Sequence, residues 1–265
     1  MTVTDPREGG WVVARGRKTR KAAVRCSSGQ SKDVKPTSNE EQAMLKAKLK
    51  QATRIVSGSA FYDNVLKLLG PPSDGYDSLR TQPALPRIQR VVLWGLGSLR
   101  QARASHIQCQ LALLCLLRDE LCPWAAAEAV DPAFSPADIA LLAFKDIQVL
   151  EENRQVAATP TLFFLAHCGA ALTESLLRAN LEAGTLGNVV LLGNSLTSVA
   201  EALGRRPARD RQEGDGAPTL CALCSGQHAG WTTHELLLPE LGFDVVSAFN
   251  DFALHTFHPS TVLAP

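Results

Sequence analysis

The stretch Val91-Val92-Leu93-Trp94-Gly95-Leu96-Gly97-Ser98 constrains this chain most. A short apolar run stops at Gly-x-Gly, and the residues after it contain neither Pro nor Gly until Cys122-Pro123. A buried parallel strand that turns tightly into a helix reads this way, because glycine permits the sharp turn and close backbone approach. The free N–H groups of the following helix start would then face an anion or a nucleotide.

The same rhythm recurs downstream. Strands are expected at 90–94, 125–130, 147–150, 161–166, 188–192 and 243–248, with helices at 98–121, from Ser135-Pro136, at 170–180 and from Ser195 to about Gly204. Alternating strands and helices make a mostly parallel sheet with helices on both faces. The helix ending near Leu121 is apolar nearly all round from Ile107 to Leu117 and should be well buried. Ahead of these elements, Ser38-Asn39-Glu40-Glu41 opens a helical segment with a capping-box pattern. Met44, Leu45, Leu49, Ala52, Ile55 and Val56 follow at helical spacing, and Phe61, Val65, Leu68 and Leu69 form a second set. The segment ends in a Pro- and Gly-rich linker before residue 88.

Charge divides the chain. Residues 1–50 carry 12 Lys and Arg against 5 Asp and Glu, whereas the remainder carries 15 against 21. Arg15, Arg17, Lys18, Arg20, Lys21 and Arg25 fall where hydrophobic periodicity is lacking. Residues 1–37 therefore read as a basic disordered tail that solubilises the protein, with a nuclear-import or nucleic-acid patch as the sharper alternative. The N-terminus has no apolar core of a secretory signal, and no apolar run approaches the roughly 20 residues that span a bilayer. Seven cysteines scattered through apolar segments suit reduced thiols in the cytoplasm or nucleus.

In a parallel sheet, ligands sit beyond the carboxyl ends of the strands. The pattern places Gly95, Gly97, Ser98, Asp131, His167, Cys168, Gly193, Asn194, Ser195, Asn250 and Asp251 there. Gly193-Asn194-Ser195 is expected to repeat the strand-stop and helix-start logic of Gly95 to Ser98. Two helix starts facing one cleft predict a small anionic ligand, with Asn194 and Asp251 meeting its polar part. The competing account is that Asn194 and Ser195 only cap their helix. Arg100 stands where a dinucleotide fingerprint has its third glycine, and Asp131 comes 34 residues after Gly97. Both departures argue against a nicotinamide cofactor.

Other motifs take structural readings. His167-Cys168 is read as a buried thiol beside a hydrogen-bonded imidazole rather than as nucleophile and base, with His167 retained as a ligand contact. Cys221-x2-Cys224 with His228 and His234 has a spacer too short for an ordinary structural zinc site, so no metal is assigned. Cys122-Pro123 is read as a helix stop with a packed thiol.

Leu93-Trp94-Gly95-Leu96-Gly97-Ser98, Gln110 to Leu114, Asp131-Pro132-Ala133-Phe134, Glu151-Glu152-Asn153 and His167-Cys168-Gly169 follow one another in a recognisable order. Leu176 to Asn180, Val190 to Ser195, and Ala248-Phe249-Asn250-Asp251 with His255 complete it. In order and spacing this set resembles the "sensitivity to red light reduced" (SRR-type) family across about residues 88–258. Val130, Ala166 and Leu181 depart from the aromatic, Pro and Trp that the family often has there, and residues 205–240 depart most.

The resemblance implies a regulatory protein linked to the circadian clock and, in animals, to haem biosynthesis, with no established reaction and no catalytic residue to carry over. The expected architecture is an α/β, Rossmann-like, doubly wound mostly parallel sheet at 88–258. It is preceded by the basic tail at 1–37 and the helical segment and linker at 38–87, and followed by a tail at 259–265. A non-catalytic regulator with protein partners is the first functional expectation. The alternative is an enzyme or sensor that binds a small anionic or nucleotide-like ligand in the strand-end cleft. Haem is the one cofactor the resemblance suggests, and in that alternative Cys122 would be an exposed axial ligand at a helix end. No nucleic-acid or membrane partner is expected, and the protein is placed in the cytoplasm and also in the nucleus.

Overall fold

The computed structural model describes residues 39–69, 85–100, 105–205, 216–228, 230–245 and 248–260. The basic tail, most of the linker, the charged stretch 206–215 and residues 261–265 lie outside these.

Seven strands form one sheet: β1 Arg90–Trp94, β2 Ala126–Val130, β3 Ile147–Val149, β4 Thr161–Leu165, β5 Val189–Asn194, β6 Trp231–Leu237 and β7 Phe252–Pro259. Their order is β3-β2-β1-β4-β5-β7-β6. β1 to β5 pair in parallel, and β7 runs antiparallel between β5 and β6. Seven helices are described: α1 Asn39–Ser57, α2 Ala60–Leu69, α3 Ser105–Leu121, α4 Pro136–Phe144, α5 Ala170–Glu182, α6 Leu196–Gly204 and α7 Pro218–Cys224.

β1 is buried on both faces, so its residues alternate between two cores. Val91 and Leu93 join Leu45, Leu49, Phe61, Leu111 and Leu142 on one side. Val92 and Trp94 join Phe163, Leu176, Leu196 and Leu220 on the other. The result is three layers, with α1 to α4 on the first face and α5 to α7 on the second. The helical segment ahead of residue 88 thus belongs to the main core. Leu45, Leu49, Ala52 and Val56 make one buried stripe along α1. α3 lies between that stripe and the sheet, which explains its nearly continuous burial from Ile107 to Cys115.

Four local expectations change. The helix after Gly97 starts at Ser105 rather than Ser98, because the Ser98 hydroxyl donates to Asp138 instead of capping it. Gly193 and Asn194 belong to β5 rather than to a turn. Of the strand expected at 243–248, residues 243–245 and 248 are not in a strand; the last strand is 252–259, and a further strand, 231–237, pairs with it. The charged, Gly- and Pro-containing stretch 205–219 lacks periodicity and is expected to be a loop throughout, yet α7 begins at Pro218. Asn250 and Asp251 therefore precede an antiparallel strand. Its start lies at the edge where the parallel strands end, and Phe252 pairs with Asn194. They keep their expected place for a different reason.

Candidate site at the carboxyl edge of the sheet

At the end of β1, Gly95 and Gly97 have φ of 64° and 79°, in the left-handed region that side chains resist. Gly95 also has a steric reason to be bare: a Cβ there would lie 2.5 Å from the Cys168 sulfur. The turn's amides are already met. Gly97 N–H donates to Asp131 Oδ2 at 2.7 Å. Leu99 N–H and the Ser98 hydroxyl donate to Asp138, at 3.1 and 2.8 Å. Asp138 is fully buried and completes a capping box with Ser135 at the start of α4. Asp131 follows β2 directly and is half-buried, and its other oxygen accepts from Ala133 N–H at 2.7 Å.

At the end of β4, His167 is exposed with φ 53°. Its backbone N–H donates to Asn194 Oδ1 at 2.9 Å, and its ring Nε2 lies 3.3 Å from Ala248 O. Gln110 of α3 donates to the same carbonyl at 3.0 Å, which holds residue 248 over the sheet edge. Cys168 donates to Trp94 O at 3.4 Å. Burial, with the nearby Asp131 charge, pushes its thiol up to about 12, far from a working nucleophile.

At the end of β5, Gly193 is bare because a Cβ would lie 2.7 Å from Leu165 O on the neighbouring strand. Ser195 caps α6 by accepting from Ser198 N–H at 3.0 Å. Its own N–H donates to Asp251 O at 2.7 Å, and Ser198 Oγ donates to Asp251 Oδ1 at 2.9 Å. Asp251 has φ 58° and, like Asn250, is exposed. The start of α6 is filled by Glu235 of β6, which accepts from Ser195 Oγ at 2.7 Å and Thr197 N–H at 3.0 Å. Glu235 also pairs with the fully buried His255 of β7 at 3.0 Å. Burial opposes ionisation of Glu235, but the hydrogen bonds from His255, Ser195 and Thr197 outweigh it and bring the carboxyl down to about 2.

The structure thus gathers the expected residues into two groups along one edge. Gly95, Gly97, Ser98 and Asp131 form one; His167, Gly193, Asn194, Ser195 and Asp251 form the other, with Asn250 beside it. The role expected of the helix starts changes, since the chain's own carboxylates occupy the donors assigned to an anion. The helix-capping account of Ser195 is the one the geometry carries. Glu235 was not legible in the sequence, because its strand was not; Glu174, whose carboxylate accepts from Thr219 and Leu220 N–H at the start of α7, was equally silent.

Cys122 is 1% exposed, and burial, opposed by Arg118 and aided by Asp119, pushes its thiol up to about 11. It is not an exposed axial ligand. Cys221 and Cys224 pack on the α7 side of the sheet with Trp231. His234 lies three residues along β6 from Trp231, so strand alternation turns it to the opposite face. There its ring centroid is 5.1 Å from that of His258. Among the described residues, no three His, Cys, Asp or Glu side chains are grouped to hold a metal ion. None of the described helices is long and apolar enough to cross a membrane.

Similarity to known proteins runs through this edge. Protein SENSITIVITY TO RED LIGHT REDUCED 1 of Arabidopsis thaliana is 28% identical over 82% of this chain and 76% of its own length. The mouse SRR1-like protein is 28% identical over 72% of this chain and 86% of its own length. Among solved structures, the SAH-bound methyltransferase PaMTH1 of Podospora anserina covers 83% of this chain and 96% of its own, at 12% identity and a TM-score of 0.36. The SRR1 domain model matches residues 47–256, from within α1 to within β7, and the chain belongs to that family.

Proposed function

We propose that this chain is a regulatory protein linked to the circadian clock, with an Arabidopsis relative named for sensitivity to red light, and that it acts by binding rather than by catalysis. The observation that supports a binding role is that the thiol, the Glu235 carboxylate and the imidazole nitrogen nearest the strand ends are each engaged by the chain itself. Cys168 is a protonated thiol held to Trp94 O. Glu235, Ser195 and His255 are consumed in one another, and the His167 ring Nε2 is held at Ala248 O. Acid–base or nucleophilic catalysis needs a base within reach of a reactive proton, with a pKa near the working pH.

The test is the period of a luminescent clock reporter in cells that lack the protein. Loss should shift period or amplitude, and re-expression should restore it. An unchanged rhythm would overturn the clock reading.

The family resemblance also carries a role in haem biosynthesis. If it acts through direct haem contact, ferric haem should give a Soret band that saturates at one equivalent. Because Cys122 is buried, Cys122→Ala should leave that band in place, whereas His167→Ala should shift it. Failure to saturate would remove direct contact from the proposal. A reporter fused to residues 11–26 should enter the nucleus as well as the cytoplasm; exclusion would leave the protein cytoplasmic.

A further inference from the structure

We propose that Cys221 and Cys224 of α7 are a redox modification site, a dithiol that closes to a disulfide within the helix and thereby loosens the hold of α7 on the edge strand β6. The proposal goes beyond the regulatory role above and stands or falls separately from it.

The helix supplies the pair. α7 runs Pro218–Cys224, and Ser225 N–H still donates to Cys221 O at 3.0 Å, so the turn that spans both thiols is closed. Residues three apart on a helix are neighbours, with Cβ atoms about 5–6 Å apart. Leu220 and Leu223 are 0% and 1% exposed and fix α7 to the core. Each thiol stands one position after one of these leucines, and both are half-buried where α7 packs with Trp231. The other described cysteines differ. Cys109, Cys115 and Cys122 are buried, and the Cys168 thiol is committed to Trp94 O. No other two described cysteines are three or four residues apart.

The surroundings assign the roles. Burial first, then the Glu235 carboxylate and Cys221, push the Cys224 thiol up to about 12. Cys221 is therefore the attacking thiol and Cys224 the resolving one. A thiol of high pKa is a poor leaving group, so the closed bond resists reopening by attack on the Cys221 sulfur. The oxidant is a small disulfide of the glutathione class. The Cys221 thiolate attacks one sulfur of glutathione disulfide, forms a mixed disulfide and expels one glutathione thiolate. The Cys224 thiol then loses its proton, its thiolate attacks the Cys221 sulfur, and the second glutathione thiolate leaves. The two protein thiols together give two electrons and two protons, and glutathione disulfide becomes two glutathione thiols.

Closing the bond changes the helix. A disulfide brings its Cβ atoms to about 3.5–4.5 Å, closer than neighbours on a regular turn, so the last turn of α7 must distort. That turn holds the approach to β6. Gln227 and His228 N–H both donate to Ala222 O at 3.1 Å, and Gly226 N–H donates to Leu223 O at 3.4 Å. The same junction is incompletely bonded: His228 Nδ1 and Thr233 Oγ1 are buried without partners among the described residues. Glu235, whose charge reaches Cys224, is the residue through which β6 holds Ser195, Thr197 and His255. Oxidation is thus felt along β6.

The test uses the full chain, native, in glutathione redox buffers, with acid quench, alkylation, intact mass and disulfide mapping. Excess glutathione disulfide should lower the mass by two hydrogen atoms, with the bond mapped to Cys221 and Cys224, and excess reduced glutathione should restore it. Cys224→Ser should stop at one glutathione adduct, on Cys221. Oxidation of the wild type should speed amide hydrogen exchange at the end of α7 and in β6 at least threefold and leave β1 and β4 unchanged. The wild-type mapping needs no variant and decides the matter if Cys224→Ser does not fold. No bond in excess glutathione disulfide, a bond mapped to any other pair, including one through Cys26 of the basic tail, or exchange in β6 indifferent to oxidation would each overturn the proposal.

Discussion

The turn after β1 and the start of α6 solve one problem with one kind of group and reach different ends. Both leave backbone amides at the carboxyl edge, and both satisfy them with carboxylates from elsewhere in the chain. At β1, the buried Asp138 takes the inner amide and the Ser98 hydroxyl, and Asp131, on the rim, takes the outer amide. Asp131 remains half-exposed, each of its oxygens accepting one hydrogen bond among the described residues. At α6, a single carboxylate, Glu235, spends its oxygens on Ser195, Thr197 and His255. It thereby ties the antiparallel edge strand to the parallel half. The first arrangement leaves its outer carboxylate half-exposed; the second is a clasp.

The largest expected effect is therefore at the clasp. Glu235→Ala removes the partner of a serine hydroxyl that is 1% exposed, of the Thr197 amide and of the fully buried His255. Stranding buried polar groups of this kind costs about 3–5 kcal/mol, readable as a drop in the urea midpoint. A loss below about 1 kcal/mol would mean that the two regions do not differ as described. The clasp should also titrate. The folded carboxyl sits at about 2 against an ordinary 4.5, so the folded state favours the ionised form. Its stabilisation is present above pH 4.5 and is lost as pH falls from there toward 2, about 3 kcal/mol across the window. The wild-type melting temperature should fall through this range more steeply than that of Glu235→Gln.

Next comes the packing behind the open turn. Gly95→Ala forces a Cβ against the Cys168 sulfur and into a left-handed backbone, at an expected cost of about 2–3 kcal/mol. Cys168→Ala removes the sulfur but not the backbone strain. The double variant should therefore recover about 1 kcal/mol or more relative to additivity. Simple additivity would show that conformation alone dictates glycine at position 95.

The same contrast explains what was legible in the sequence. The parallel half was readable because its signals are local: an apolar run before Gly-x-Gly, Ser-Pro-x-Asp as a capping box, and Asp131 closing a strand. Strand bounds there moved by a residue or two. The antiparallel half was not readable, because β6 and β7 carry no simple alternation. Trp231-Thr232-Thr233-His234-Glu235 mixes polar residues on both faces, and β7 is buried from Phe252 to Phe257 with His255 among them. Such strands owe their existence to each other and to β5. The starts of α4, α5 and α6 were placed nearly correctly, whereas the helix expected to open at Ser98 starts at Ser105. What meets the Ser98 turn and the Ser195 cap comes from residues about 40 positions away, Asp138 and Glu235, and only the fold brings those together.

The smallest effect is expected at Asp131, and it sharpens the comparison most. Asp131→Asn keeps the shape and one acceptor oxygen, while its amide turns a donor toward one of the two N–H groups that the carboxylate now meets. Because this rim is half-exposed, water can serve the N–H that loses its acceptor, so the expected cost is only about 1 kcal/mol. The variant should unfold in urea with an unchanged m-value and a midpoint close to wild type. If Asp131→Asn proved as costly as Glu235→Ala, the rim carboxylate would be a second clasp, its acceptor capacity committed to holding the turn. A small cost leaves Asp131 as a carboxylate fixed in orientation at a strand end and largely dispensable to the fold, which is the condition a ligand-binding group has to meet.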